Sequence, residues 1–185
     1  MRFDNLDYLR DGDPVQQSAF HCLTEWRIIQ DLAAYKPILC GTVPLGISLP
    51  DSDLDIICEV ADLPSFEGHL TRHFAHLPDF SLSYDSTSTG PALTVVFQTP
   101  CFSIEIFGQA IPVKDQHAYR HMLQEARILA YGNTAFRKGI IHLKQKGLST
   151  EEAFARQLGL DGDPYEALLR LENVTDEALA QLVLR

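Results

Sequence analysis

The sequence has no long hydrophobic run and no closely spaced pair of cysteines. No apolar stretch approaches the roughly 20 residues that span a bilayer, and the polar beginning, residues 1–5, is not typical of a signal peptide. The four cysteines, Cys22, Cys40, Cys58 and Cys101, lie far apart and form no CxxC pair. We therefore expect a cytoplasmic protein that contacts no membrane, with reduced cysteines and no disulfide framework.

Positive charge is also scarce, because 15 Lys and Arg residues stand against 25 Asp and Glu residues, which gives a net charge of −10. This balance disfavours nucleic acid as a partner, since nucleic-acid binding depends largely on neutralising phosphates. Between residues 116 and 147 the sign reverses, and a small anionic ligand suits this region better than a long polyanion. The basic residues there are Arg120, Arg127, Arg137, Lys138, Lys144 and Lys146, against Glu125 alone.

The hydrophobic pattern divides the chain into two parts. Its 185 residues, 45% of them hydrophobic, suit one domain of ordinary size. Up to residue 111 strand and helix patterns alternate, whereas beyond Pro112 the pattern is helical throughout. The predicted fold class is α/β (α+β), with an α/β core over residues 1–111, a hinge at Ile111-Pro112 and an all-helical part over residues 112–185. The predicted strands are 37–40, 54–60, 81–84, 92–97 and 102–107, the third and fourth forming a hairpin and the fifth ending at Gly108.

Several helices carry capping signals. Asp13-Pro14 and Asp163-Pro164 place a proline directly after an N-cap, and Ser149 with Glu152 has the capping-box spacing. Trp26 is assigned to the core. The predicted helices are 4–10, 14–35 as one helix or two, 62–77, 115–131, 134–146, 150–158, 164–172 and 175–184, and the segment after Gly41 is a loop or at most one helical turn.

Two aspartates open the second strand pattern. Because side chains alternate along a strand, Asp53 and Asp55 should point the same way while Leu54 and Ile56 point into the core. Glu105 interrupts a later apolar strand, and it would join the pair if the two strands were neighbours. Three converging carboxylates predict a Mg²⁺ site suited to phosphoryl or nucleotidyl transfer.

The acidic stretch is also compatible in part with three other motifs. Asp51, Ser52 and Asp53 could form a simple turn before a strand. A haloacid-type phosphatase would place its acids after a strand, whereas here they precede one. An EF-hand from Asp51 would require Gly and Glu where Ile56 and Asp62 stand. The last two fail on spacing, and the turn remains an alternative.

These residues resemble a known signature. Gly41-Thr42, Asp53-Leu54-Asp55-Ile56 and Ile104-Glu105-Ile106 resemble the three-part signature of the polymerase β-type nucleotidyltransferase superfamily. The resemblance implies a mixed-sheet nucleotidyltransferase-like core. The whole chain is more closely similar to an uncharacterised bacterial family with that core, through residues 41–46, 52–59, 105–109 and 118–121.

The resemblance also implies roles for individual residues. Asp53 and Asp55 would hold the metal ions, with two Mg²⁺ expected, and Glu105 would complete the catalytic shell and help to activate the attacking hydroxyl. Gly41 and Thr42 would contact the triphosphate of an NTP substrate. These five residues form the predicted catalytic, metal and nucleotide site.

The sequence departs from the superfamily pattern at three positions. Thr42 keeps a hydroxyl but is bulkier than the usual Ser or Gly. Leu45 stands where many members carry Arg, so one phosphate contact is missing. Glu105 is one methylene longer than the more common Asp.

Histidines and the basic region offer further candidates. His69, His73 and His76 lie at i, i+4 and i+7, and a zinc site built on them is a separate hypothesis. Arg120 and His121 follow the hinge, and we expect both to face the cleft and help to bind the nucleotide. A solvated basic face is the alternative for this helix.

The predicted function is Mg²⁺-dependent transfer of a nucleoside monophosphate from an NTP to a small-molecule or protein acceptor. The alternative is a catalytically inactive nucleotide-binding or protein-interaction module on the same fold. Loss of any one carboxylate would favour the alternative, and all three are present.

Overall fold

The computed structural model describes residues 3–184, so Met1, Arg2 and Arg185 lie outside it. Within these residues five strands form one sheet in the order β1-β2-β5-β4-β3. The β2–β5 pair is parallel and the other three pairs are antiparallel, so the sheet is mixed. The strands are β1 (Ile38–Cys40), β2 (Leu54–Glu59), β3 (Ser81–Thr87), β4 (Gly90–Gln98) and β5 (Ser103–Gln109).

Helices flank this sheet and account for the remaining regular structure of the described residues. The predicted α+β class is confirmed, and so is the β3–β4 hairpin. The first helices are α1 (Asp7–Arg10), α2 (Pro14–Glu25), α3 (Ile28–Asp31), α4 (Thr42–Leu45) and α5 (Leu63–Phe74). The later helices are α6 (His117–Tyr131), α7 (Thr134–Gln145), α8 (Thr150–Leu158), α9 (Pro164–Arg170) and α10 (Asp176–Val183), with 3-10 turns at Ala33–Tyr35, Val113–Asp115 and Leu171–Asn173.

The capping signals decide where the helices begin. The Asp13 carboxylate accepts the backbone N–H groups of Val15 and Gln16, which satisfies donors that the first turn of α2 leaves free. The predicted capping box of α8 also forms, since Ser149 and Glu152 bond to each other's backbone N–H. Of the two forms predicted for segment 14–35, the structure has two helices, α2 and α3, followed by the 3-10 turn Ala33–Tyr35. The helices are separate because Arg27 adopts a left-handed conformation with φ of 54° between them.

Each face of the sheet has its own hydrophobic core. On one face Leu54, Ile56 and Ile106 pack against α2 and α5, with Trp26 partly buried at the margin of this core. On the other face Ile57 packs with the C-terminal helices. Full burial of such a side chain is worth about 1.5–3 kcal/mol, so both layers are held firmly. The second core joins residues from both predicted parts of the chain, and the boundary near residue 111 stays a prediction.

Several predicted boundaries were wrong: the first helix begins at Asp7 and not at residue 4, and β3 continues to Thr87 instead of ending at residue 84. Gly108 lies inside β5 instead of ending it, because the strand passes so close to Phe66 that a Cβ at Gly108 would lie 2.5 Å from the ring. Helix α5 ends at Phe74, three residues before the predicted end. In the described part of the chain, no helix combines the length and apolar character needed to cross a membrane.

Candidate functional site

Three carboxylates meet at the start of β2 and β5. The parallel register pairs Asp55 with Glu105, so that these two residues lie side by side on neighbouring strands. Asp53 is exposed and lies one residue before β2. The structure therefore brings together the three acidic residues that the sequence pattern selected. We call Asp53, Asp55 and Glu105 the sheet wall.

The sheet wall carries unfavourable electrostatics. Burial, followed by the neighbouring charges of Asp53 and Glu105, raises the pKa of Asp55 to about 7, and Lys144 partly opposes this shift. Burial and the charge of Asp53 also raise the pKa of Glu105. Carboxylates so close together repel one another when ionised. A bound cation would remove that repulsion.

The turn after β1 lies against this wall. Gly41 has φ of +79°, and a Cβ added there would lie 2.2 Å from Asp55 Oδ2, so the position requires glycine for both conformation and space. Thr42 Oγ1 lies 3.3 Å from Ser52 Oγ, which in turn accepts the Leu49 N–H at 2.9 Å. These contacts fix the predicted phosphate-binding turn beside Asp55.

A cavity of about 610 Å³ lies in front of the sheet wall. It is bordered by the sheet and the β3–β4 turn on one side and by the C-terminal helices on the other. Of the residues predicted for the site, Gly41, Thr42, Asp53, Asp55, Glu105 and His121 line this cavity.

Arg120, by contrast, is not among the described residues that line the cavity. Its guanidinium donates two hydrogen bonds to the carboxylate of Glu172, at 3.0 and 2.8 Å. This bidentate pair is the strong geometry for Arg and carboxylate, and it turns Arg120 away from the site. Nucleotide binding by Arg120 stays a prediction without structural support.

The opposite side of the cavity holds a second polar cluster. His121 and Glu125 come from α6, Lys144 from α7 and Glu151 from α8, and we call these four residues the helical wall. A ring nitrogen of His121 and carboxylate oxygens of Glu125 and Glu151 all lie within 4.8 Å of one another. His121 and Glu125 are only 5% and 4% exposed. The helical wall is therefore more deeply buried than the sheet wall.

Lys144 belongs to the helical wall, and its positive charge also acts on Asp53 and Asp55 of the sheet wall. Its Nζ donates to the carbonyl of Ile47 at 3.0 Å. Burial lowers the pKa of Lys144, and the charges of Glu125 and Glu151 oppose that shift. Burial raises the pKa of Glu125 to about 8, and Glu151 adds to the effect. Burial likewise lowers the pKa of His121.

Most of the basic residues between residues 116 and 147 lie away from the cavity. Of the six basic residues counted in the sequence, all of them described, Lys144 is the one that lines the cavity. Arg127 donates to the carbonyls of Leu171 and Val174 and pairs with Asp176. Arg137 donates to the carbonyls of Leu45 and Gly46. These arginines fix the end of α4 and the Leu171–Asn173 turn, because carbonyls at and beyond the end of a helix lack helical donors.

The histidines of α5 have structural partners. His69 Nε2 lies 2.7 Å from the carbonyl of Asp31, and His73 Nδ1 lies 3.5 Å from the Asp31 carboxylate. The two rings stack at 4.4 Å. His76 lies beyond the end of α5 and is exposed, so the three do not continue along one helical face. These contacts tie α5 to α3, and the predicted zinc site does not form here among the described residues.

Sequence reasoning did not select Lys144, Glu125 or Glu151 for the site. One signal was present: Phe136, Ile140 and Lys144 lie four residues apart along α7, so the lysine occupies the buried face of an amphipathic helix. A charged residue on such a face needs a partner. Glu125 is likewise a charged residue on the buried face of a helix, one turn from His121 on α6.

The architecture matches solved nucleotidyltransferase structures. A Cid1 poly(U) polymerase with MgGTP bound gives a TM-score of 0.56 at 12% identity, covering 80% of this chain and 49% of that chain. The GLD-2/RNP-8 complex gives 0.55 at 15% identity, covering 97% and 81%. A cytoplasmic RNA terminal U-transferase gives 0.54 at 13% identity, covering 80% and 47%. This chain thus spans about half the length of the first and third proteins, and it has the nucleotidyltransferase fold.

The family follows from the sequence match. Residues 21–171 match DUF4269, a domain of unknown function, and this chain belongs to that family. The comparison with curated proteins finds no match to the sequence. The resemblance drawn from the acidic signature is confirmed for fold and family.

Proposed function

We propose that this protein is a Mg²⁺-dependent nucleotidyltransferase, which transfers a nucleoside monophosphate from an NTP to a small-molecule or protein acceptor. The observation that carries the proposal is the parallel β2–β5 register, which sets Asp55 beside Glu105 with Asp53 next to both. Gly41 and Thr42 line the same cavity. The fold alone would not carry it, because one fold supports many functions.

The donor set of the sheet wall fits Mg²⁺. It offers carboxylate oxygens, which hard dications prefer, and burial followed by the neighbouring charge of Asp53 raises the pKa of both Asp55 and Glu105. Asp53 and Asp55 would hold the ions, with Glu105 completing the shell. A bound ion would supply positive charge to the triphosphate and the leaving group.

The residues of the chain have definite roles in this reaction. The oxygen of the acceptor hydroxyl attacks the α-phosphorus of the NTP, and the bond from that phosphorus to the bridging oxygen of the β-phosphate breaks. Pyrophosphate leaves with the bonding electron pair. The Glu105 carboxylate orients the hydroxyl and accepts its proton, a role for which a raised pKa is suitable. Gly41 and Thr42 position the triphosphate.

The acceptor class is proposed from charge. The names of the Cid1 and terminal U-transferase structures refer to poly(U) and to RNA. This chain carries a net charge of −10, and its cavity is lined by Glu151 in addition to the sheet wall. Such surroundings repel a polyanion. We therefore propose a small-molecule or protein acceptor in place of nucleic acid.

The test is calorimetric titration with each of the four NTPs, in the presence and absence of Mg²⁺. We expect the wild type to bind at least one NTP only with Mg²⁺, and the double variant Asp53→Asn with Asp55→Asn to lose that dependence. The matched control is Asp161→Asn, because Asp161 is exposed in a loop and does not line the cavity.

Two outcomes would contradict the proposal. If the wild type binds no NTP with Mg²⁺, the enzymatic hypothesis fails. If wild type and double variant bind equally, the carboxylates do not form the metal site. Binding without pyrophosphate release against any acceptor would instead favour the alternative, an inactive nucleotide-binding or protein-interaction module.

A further inference from the structure

The helical wall holds metal-ligating groups that the proposed transfer reaction does not use. His121 is 5% exposed, and its Nδ1 is buried without a hydrogen-bond partner among the described residues. A nitrogen of this ring lies within 4.8 Å of carboxylate oxygens from Glu125 and Glu151. Buried polar atoms are normally satisfied, so the unpaired Nδ1 of a buried histidine whose ring also borders two carboxylates indicates a missing partner.

We infer that His121, Glu125 and Glu151 form a second metal site, which takes a divalent first-row transition ion such as Zn²⁺ or Co²⁺. One imidazole nitrogen with two carboxylate oxygens is a donor set that such ions accept, whereas Mg²⁺ prefers oxygen alone. Three protein ligands leave a coordination position for a ligand in the cavity. This site is independent of the proposed Mg²⁺-dependent transfer.

The ligands sit on well-fixed elements. His121 and Glu125 lie one turn apart on α6, so they share a face of one helix. Glu151 lies in the first turn of α8, whose start is fixed by the Ser149–Glu152 capping box. The Tyr165 ring packs edge-on against His121, with centroids 5.7 Å apart. The site would therefore need little rearrangement when an ion binds.

Lys144 provides the competing explanation. It faces Glu125 and Glu151 and could balance one of their negative charges. Lys144 donates its hydrogen bond to the carbonyl of Ile47 instead, so it does not satisfy the carboxylate oxygens directly. In the described residues, no ion pair within 4.0 Å involves Glu125 or Glu151. This arrangement leaves the carboxylates available to an ion and assigns His121 to metal binding in place of a direct nucleotide contact.

The test uses Co²⁺ as the probe, added to the full chain carrying Asp53→Asn and Asp55→Asn, so that the sheet wall is disabled. We expect one equivalent to bind, with the intense visible absorption of four- or five-coordinate Co²⁺, and Zn²⁺ to displace it. In the same background, Glu151→Gln and His121→Asn should each weaken binding by at least about tenfold. His142→Asn and Glu177→Gln are the matched controls, because both residues are exposed and outside the cavity.

Two results would overturn the inference. One is the absence of saturable Co²⁺ binding in the Asp53→Asn, Asp55→Asn protein, and the other is equal affinity in the parent and Glu151→Gln proteins. Glu151 is half-buried in a first helical turn, so its variant decides the question even if His121→Asn does not fold. Mg²⁺-dependent NTP binding is measured separately on the wild type. Failure of the second site is thus distinguishable from failure of the proposed function.

Discussion

The two walls of the cavity carry similar side chains in different settings. The sheet wall has three carboxylates, of which Asp53 is exposed and the other two are half-buried. The helical wall has two carboxylates with a histidine and a lysine, and Glu125 is only 4% exposed. Exposed carboxylates can exchange water for a hydrated ion and its substrate, whereas buried ones need a permanent counter-charge. We therefore assign the exchange of ions and substrate to the sheet wall and a permanent structural role to the helical wall.

The largest expected effect tests whether the sheet wall performs the chemistry. Glu105→Gln keeps the shape of the side chain but removes the proposed proton acceptor and one proposed metal ligand beside Asp55. We expect pyrophosphate release from the bound NTP to fall by at least about a hundredfold. The measurement is the single-turnover rate with radiolabelled NTP and Mg²⁺.

The control for this variant is Asp85→Asn. Asp85 contributes to the raised pKa of Glu105 and accepts a hydrogen bond from Thr94, but it does not line the cavity. We expect its rate to stay within about threefold of the wild type, since one exposed charge acts weakly through water. Equal losses in both variants would mean that Glu105 acts through the general field and not at the reacting atoms.

The second prediction concerns the turn that touches the sheet wall. Gly41→Ala should destabilise the protein by about 3 kcal/mol, because the new Cβ would meet Asp55 Oδ2 and the backbone has φ of +79°. Gly159→Ala is the control, since φ there is +67° with open space around the Cβ. Urea unfolding gives both values. Combining Gly41→Ala with Asp55→Ala should recover part of the loss, and an additive result would contradict the steric explanation.

The sheet wall could be predicted from sequence because its geometry follows from local rules. The i, i+2 spacing of Asp53 and Asp55 fixes their common side, and Glu105 stands out within an apolar strand. That β2 and β5 are adjacent in the sheet could only be assumed from the sequence, because strand order depends on long-range packing. Gly108 shows how a local signal can mislead. The glycine suggested the end of a strand, but it is required because Phe66 packs too closely for a Cβ.

The helical wall could not be predicted because its members come from three helices. Their meeting depends on how α6, α7 and α8 pack, and periodicity describes each helix alone. The net charge of residues 116–147 was misleading for the same reason, because it does not show which side chains face the cavity. The basic excess in residues 116–147 suggested a site for a small anionic ligand, yet Arg120 pairs with Glu172 and Arg137 donates to backbone carbonyls.

The third prediction tests the structural role assigned to the helical wall. Lys144→Met should destabilise the protein by about 1–3 kcal/mol, because the Ile47 carbonyl loses its donor and Glu125 loses its facing cation. Lys146→Met is the control, since that side chain is exposed two residues away, and it should change stability by less than about 0.5 kcal/mol. If urea unfolding gives equal stability losses for the two variants, Lys144 contributes no more to stability than an exposed lysine.

The smallest expected effect comes from the ion pair that holds Arg120 outside the cavity. Glu172→Gln should reduce stability by less than about 1 kcal/mol, because both side chains remain partly exposed to water. The Arg120 hydrogen bonds lower the pKa of Glu172 below its ordinary value. The stability that the pair adds is therefore present above the unfolded pKa of about 4.3 and is lost as the pH falls through the lower folded value. Thermal unfolding of wild type and Glu172→Gln should differ at pH 6 and converge at low pH. If freeing Arg120 instead raised Mg²⁺-dependent NTP affinity, the arginine would belong to the nucleotide site, and the division between structural cations and the cavity would have to be redrawn.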